Sequence, residues 1–229
     1  MNITIKKLVT TTLAASAFAL CAMSAHATLI LTLTDNVTNT SVTITDNLPG
    51  DSDPTLGAIS YNGGIGSWSA LLTSGASNAP GTASTAFIDF SSIRLANTGA
   101  GSLTLTLTDN GFTNPVGANS GASTGIGGTT TGTISAFSLF NGNSLINLGS
   151  FTGGAGGSFS GGGGSSVDTT NPFSLTNSVT VTYGAGGGHS TFAMNTTVPE
   201  PATLGLLGLG LIGLGLARRK SARGQTSKV

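Results

Sequence analysis

Between Thr28 and Val198 the sequence has no cysteine, no lysine and no glutamate, a single arginine, Arg94, and a single histidine, His189. Neither a disulfide nor a thiol nucleophile can arise there. The aspartates Asp35, Asp46, Asp51, Asp53, Asp89, Asp109 and Asp168 against Arg94 leave this stretch with a net charge of minus six. The balance of eight Lys+Arg and eight Asp+Glu over all 229 residues hides this, because the other basic residues lie near the two ends. A nucleic-acid binder needs several Lys or Arg on one face to neutralise phosphates, which excludes that class. An anionic membrane surface is equally ill matched to the middle of the chain. A zinc site needs several His or Cys ligands, and an acid/base pair would have to come from the aspartates and His189 alone. Charged residues are only 7% of the chain, yet 38% are hydrophobic and the mean hydropathy is +0.27, so the chain buries a core and is not disordered.

What is present at the ends is more specific. Residues 1–27 have a basic start, Lys6 and Lys7, an apolar run from Leu8 to Met23, and then Ala25-His26-Ala27. This is the form of a secretory signal, with the small residues Ala25 and Ala27 placing signal-peptidase cleavage after Ala27. Cys21 leaves with the signal; a lipid anchor on it would want a small residue where Leu20 stands. At the other end Pro199-Glu200-Pro201 precedes an apolar stretch, Ala202 to Ala217, and then Arg218-Arg219-Lys220. Sixteen helical residues reach about 24 Å, short of a bilayer core of about 30 Å but workable with snorkelling arginines. The basic stop should stay cytoplasmic, so the body lies on the other side of the membrane. An ordinary tail anchor would share this hydropathy.

The order Val198-Pro199-Glu200-Pro201, Gly/Leu-rich span, Arg218-Arg219-Lys220 resembles the PEP-CTERM sorting signal of Gram-negative bacteria. The resemblance implies processing by exosortase, a membrane protease or transpeptidase, and an exported body at the cell surface or in a matrix rich in exopolysaccharide. It covers residues 198–220, with 221–229 as a cytoplasmic tail, and says nothing of the activity of the body, residues 28–197.

That body is dominated by period-two alternation. Leu29, Leu31 and Leu33 alternate with Thr32 and Thr34; Val42 and Ile44 with Thr43 and Thr45; Leu103, Leu105 and Leu107 with Thr104, Thr106 and Thr108. Further strands are predicted at 86–95, 134–140, 144–151, 178–183 and 190–195, with weaker signals at Tyr61 and 67–72. Leu-Thr-Leu-Thr-Asp-Asn occurs at 31–36 and again at 105–110, which reads as a strand ending in an Asp-Asn turn. Eight to ten short strands predict an all-β antiparallel sandwich, jelly-roll-like or Greek key. The Gly/Ser tract 153–166 and the glycines 184–188 read as mobile loops.

Catalytic patterns fail on context. Gly121-Ala122-Ser123-Thr124-Gly125 has nucleophile-elbow spacing, but no apolar strand leads into it and the glycines that follow forbid its helix. Gly208 to Gly213 spells a dinucleotide fingerprint inside the apolar C-terminal stretch, where no pyrophosphate could reach it. Asp46, Asp51 and Asp53, three carboxylates in eight residues, could offer hard oxygens to Ca²⁺, although the spacing is not that of an EF-hand and a solvated Asp/Pro/Gly turn accounts for it equally. Trp68 and Tyr61 could stack on sugars or serve the core. The expectation is therefore a non-enzymatic, exported structural protein of the cell surface or biofilm matrix, anchored transiently in the inner membrane. The alternative is a polysaccharide-binding module, calcium-assisted through the aspartates.

Overall fold

The structure, a computed structural model, describes residues 28–153 and 157–200. The expected signal peptide with Ala25 and Ala27, the residue Pro201, the C-terminal apolar span and the stop Arg218, Arg219 and Lys220 lie outside the described residues. In the body the alternating segments all become strands. They run β1 (Ile30–Asp35), β2 (Thr40–Thr45), β3 (Ala58–Ile65), β4 (Trp68–Ser77), β5 (Thr85–Asn97), β6 (Gly101–Phe112), β7 (Ser120–Thr130), β8 (Thr133–Phe140), β9 (Asn143–Thr152), β10 (Gly157–Val167), β11 (Phe173–Tyr183) and β12 (Gly188–Pro199).

Two antiparallel six-stranded sheets result, ordered β2-β1-β6-β11-β8-β9 and β10-β7-β12-β5-β4-β3. The two copies of Leu-Thr-Leu-Thr are neighbours, with Leu31 opposite Leu107 and Leu33 opposite Leu105. Their leucines face inward and are fully buried, while the threonines form a hydroxyl ladder on the outer face, as in Thr104 Oγ1 to Thr180 Oγ1 at 2.9 Å. Each such buried Leu contributes about 1.5–3 kcal/mol of transfer free energy. Facing them from the second sheet are Ile88, Phe90, Ile93, Phe192 and Met194, in one continuous core. A polar seam crosses it: Thr196 Oγ1 donates to Asn177 Oδ1 at 2.6 Å, Thr124 Oγ1 bonds both Thr196 and Ser138, and Asn177 Nδ2 donates to Ile88 O at 3.2 Å. These groups tie the sheets together and satisfy one another, which buried hydroxyls and amides require.

Three expectations are corrected: the number of strands, twelve among the described residues and not eight to ten, the Gly/Ser tract 153–166, and the turn at Asp109-Asn110. Residues 157–166 of the Gly/Ser tract are not a loop but lie in the edge strand β10, paired with β7 in register from Gly157 opposite Thr130 to Val167 opposite Ser120. Glycines suit that edge because the facing side chains of β9 fill its space: a Cβ on Gly161 would enter the Phe151 ring, and one on Gly163 would stand 2.7 Å from Ile146. Phe159 packs on Phe151 with ring centroids 5.2 Å apart. The false elbow, residues 121–125, lies in β7, which the alternation of Ser, Ala, Thr and Ile towards the core explains once β12 is beside it. Finally, Asp109-Asn110 is no turn: β6 runs on to Phe112, with Asp109 buried beside a register shift against β11.

Because successive strands alternate in direction, the connections segregate. Turns 36–39, 66–67, 98–100, 131–132 and 184–187 are short and lie at one end of the sandwich, the turn end. Segments 46–57, 78–84, 113–119 and 168–172 lie at the other, the loop end, together with Thr28 and Glu200.

Candidate functional site

β12 is the second-sheet strand between β5 and β7, and its last residues are the first of the sorting motif. Val198 is fully buried and pairs with Ala86; Pro199 pairs with Thr85. Proline is tolerated there because it closes the strand and its missing N–H costs no interior ladder bond. Glu200 is exposed, but its N–H donates to Ser84 O at 2.8 Å, so the backbone is held to the sheet up to the residue before Pro201. The motif therefore begins inside the fold, with no linker between core and sorting element.

The outer face of the same sheet carries a shallow open trough of about 610 Å³ over β5, β12 and β7. Register places Asp89 opposite Asn195, and Asn195 opposite Gly125; Phe87 lies opposite Thr197, and Thr197 opposite Ser123. Gly125 keeps the floor open, since a Cβ there would stand 3.3 Å from Asn195 Oδ1. One Asp89 oxygen accepts a short hydrogen bond from Ser91 Oγ, and the Ser123 and Thr197 hydroxyls bond at 2.9 Å. Further towards the turn end the same face presents Arg94, opposite Thr191, and His189, opposite Ala96. These are the only two basic side chains among the described residues, and both line a second shallow depression. A half-buried ring, a carboxylate, an amide, a guanidinium and an imidazole on one Gly-floored face can bind a chain of hydroxylated rings.

The acidic cluster serves its own loop. Asp51 Oδ1 accepts from the N–H groups of Asp53 and Ser60 at 2.9 Å, and its Oδ2 from Asn47 at 3.0 Å. Asp53 Oδ1 accepts from Thr55 N–H at 2.9 Å. Asp46 accepts from Gly57 N–H at 2.8 Å and from the Asn47 amide. Burial pushes the Asp46 carboxyl above its ordinary value; the Gly57 bond opposes this, and repulsion from Asp51, Asp109 and Asp53 adds to it. Among the described residues no three His, Cys, Asp or Glu side chains group so as to hold a metal ion. The two aromatic candidates part company. Trp68 is 2% exposed and stacks on Tyr183 at 5.2 Å, which makes it a core residue and no sugar platform, whereas Tyr61 is half-buried against the core. His189 is exposed, one residue into β12 from the hairpin turn.

The trough could not be found from sequence, because Phe87, Asp89, Asn195 and Gly125 come from three strands far apart in the chain. The motif could. Residues 197–220 match the PEP-CTERM protein-sorting motif. This chain is thus a PEP-CTERM protein by its sorting element; the match does not extend over the body. No curated protein matches the chain. Among solved structures the body is similar to TmCBM61 in complex with beta-1,4-galactotriose, at 10% identity over 56% of this chain and 86% of that one with a TM-score of 0.31. It is also similar to the enzymatically active domain of bacteriophage CBA120 tailspike protein 4, at 14% identity over 57% of this chain and 19% of that one, TM-score 0.34. A family 35 carbohydrate binding module from Clostridium thermocellum aligns at 16% identity over 61% of this chain and 90% of that one, TM-score 0.26. Scores this low mark partial overlaps of β-sheet and carry no ligand with them.

Proposed function

We propose that this chain is an exported cell-surface or extracellular-matrix protein without catalytic activity of its own. Its apolar segment 202–217 holds it in the inner membrane with the body on the periplasmic side, until exosortase acts at Pro199-Glu200-Pro201. The sorting motif at 197–220, joined to the last core strand, is the observation that carries this reading. Exposure of the Glu200 side chain beside a pinned backbone supports its being the group the enzyme reads. In the native host, mass spectrometry should find the mature protein without residues 202–229, and Glu200→Ala should trap the unprocessed form in the membrane. Arg218 to Val229 retained on the mature protein would leave only a tail anchor.

A second reading, favoured by the outer face of the β12 sheet, is that the mature body binds matrix polysaccharide along Phe87, Asp89 and Asn195 towards Arg94 and His189. This reading does not draw on calcium, since Asp46, Asp51 and Asp53 accept from loop N–H groups and, among the described residues, no three acidic side chains group so as to hold a metal ion. Calorimetry of residues 28–200 against exopolysaccharide from the host separates the two roles: heat that disappears in Asn195→Ala supports binding, and none leaves a purely structural body.

A further inference from the structure

Four large hydrophobic side chains are markedly exposed among the described residues: Val37, Leu48, Leu56 and Val116. Single exposed apolar residues need no explanation. Their distribution does, because Leu48, Leu56 and Val116, at 55%, 54% and 59% exposure, stand on two separate connections, 46–57 and 113–119, both at the loop end. These connections are not slack tails that could fold inward. Leu48 N–H donates to Thr45 O and Asp51 N–H to Leu48 O, while Gly57 N–H is held by Asp46. On the other connection, Thr113 and Asn114 N–H both donate to Pro80 O, and Thr169 N–H and Oγ1 both donate to Gly117 O.

The chain leaves the fold at this same end. Glu200 N–H is bonded to Ser84 O, and only Pro201 separates Glu200 from Ala202, the first residue of the apolar stretch. A residue of extended chain spans at most about 3.6 Å, so the loop end can stand only a few ångströms from wherever Ala202 enters the bilayer. The turn end, with Val37, is a β12 length away, roughly 40 Å for twelve residues.

We propose that, before processing, the loop end rests on the lipid interface, with Leu48, Leu56 and Val116 dipping into it. The inference depends on the reading above that residues 202–217 lie in the membrane. Interfacial contact of this kind is driven by apolar burial. Asp51, Asp53, Asp168 and Glu200 stand at the same end, so the surface that suits it is zwitterionic, and anionic lipid repels it. Removal of the span by processing leaves the two connections to hold the body alone, and the body then departs. The sorting enzyme would thus meet Glu200 at the level of the headgroups and not on a stalk.

The test uses the chain from Thr28 to Val229, which has no cysteine, with Leu48→Cys, Val116→Cys or Val37→Cys carrying an environment-sensitive fluorophore, in phosphatidylcholine vesicles. Flotation first establishes that the chain is anchored. Fluorophores at 48 and 116 should then shift to the blue and lose most of their emission to headgroup-region spin-labelled lipid, while that at 37 stays wet and unquenched. Replacing half the lipid by phosphatidylglycerol should weaken the quenching at 48 and 116. A chain that does not float overturns the anchoring reading and the inference with it. A chain that floats with all three sites equally wet overturns the inference alone, and assigns Leu48, Leu56 and Val116 to a protein partner or to none.

Discussion

The two ends of this sandwich are built from different materials. At the turn end, short connections close over an aromatic plug in which Trp68 stacks on Tyr183, whose hydroxyl donates to Ser190 Oγ at 2.7 Å. At the loop end the first sheet is plugged by Phe112, Phe173 and Phe140, stacked in series at 5.3 and 5.1 Å, but the connections beyond them carry acids and exposed leucines. The turn end has one carboxylate, Asp35, holding backbone N–H groups, whereas the connections of the loop end have four, Asp46, Asp51, Asp53 and Asp168. The loop end presents the longer connections to the outside, and it is also where the described chain enters and leaves the fold.

That contrast can be broken by substitution. Trp68→Ala, which empties the turn-end plug, should lower unfolding free energy by about 3–5 kcal/mol in urea titrations. Val198→Ala, at the loop end but inside the core, should cost about 2 kcal/mol, two methylene equivalents. A loss there as large as at Trp68 would erase the distinction between the ends.

Titration sharpens it, because the two ends hold carboxylates shifted in opposite directions. At the turn end Asp35 is held below its ordinary value of 3.8, first by the Val37 N–H and then by Thr38, against the effect of burial. It therefore stabilises the fold above the unfolded value, and that contribution is lost as pH falls through its lowered folded value. Asp46, raised by burial and by neighbouring aspartates, does the reverse: its contribution is present below 3.8 and is lost as pH rises through the raised folded value. Urea midpoints at pH 7 and pH 3 should show Asp35→Asn harmful at the higher pH and less so at the lower. Asp46→Asn should compare better with the parent at pH 7 than at pH 3, since Asn still accepts from Gly57. Parallel pH profiles for both variants would refute the assignment. The smallest effect is expected for Leu48→Ser, within about 0.5 kcal/mol of the parent, because that side chain is more than half exposed in the folded body.

Much of this was legible in the chain. Leucines alternating with threonines dictate half-buried strands whichever neighbours they find, so β1, β2 and β6 follow from periodicity. The sorting motif is legible because its Pro, Glu, apolar and basic parts act in linear order. β10 was not, since its glycines have no periodicity to read; their reason is the bulk of Phe151 and Ile146 on a strand of the other sheet. Asp109-Asn110 looked like the turn at Asp35-Asn36, yet β11 pairs across it and carries the strand onward. Composition by itself determined that this is an acidic, cysteine-free β body with a sorting element at its end, because those properties are sums and local patterns. Only the tertiary structure decided that Asp89, Asn195 and Phe87 share a trough, that Thr124, Ser138, Asn177 and Thr196 complete one another's hydrogen bonds, and that the sorting motif starts within a core strand. Each of those depends on which strands become neighbours, and strand pairing is a choice made among distant segments by the core they bury together.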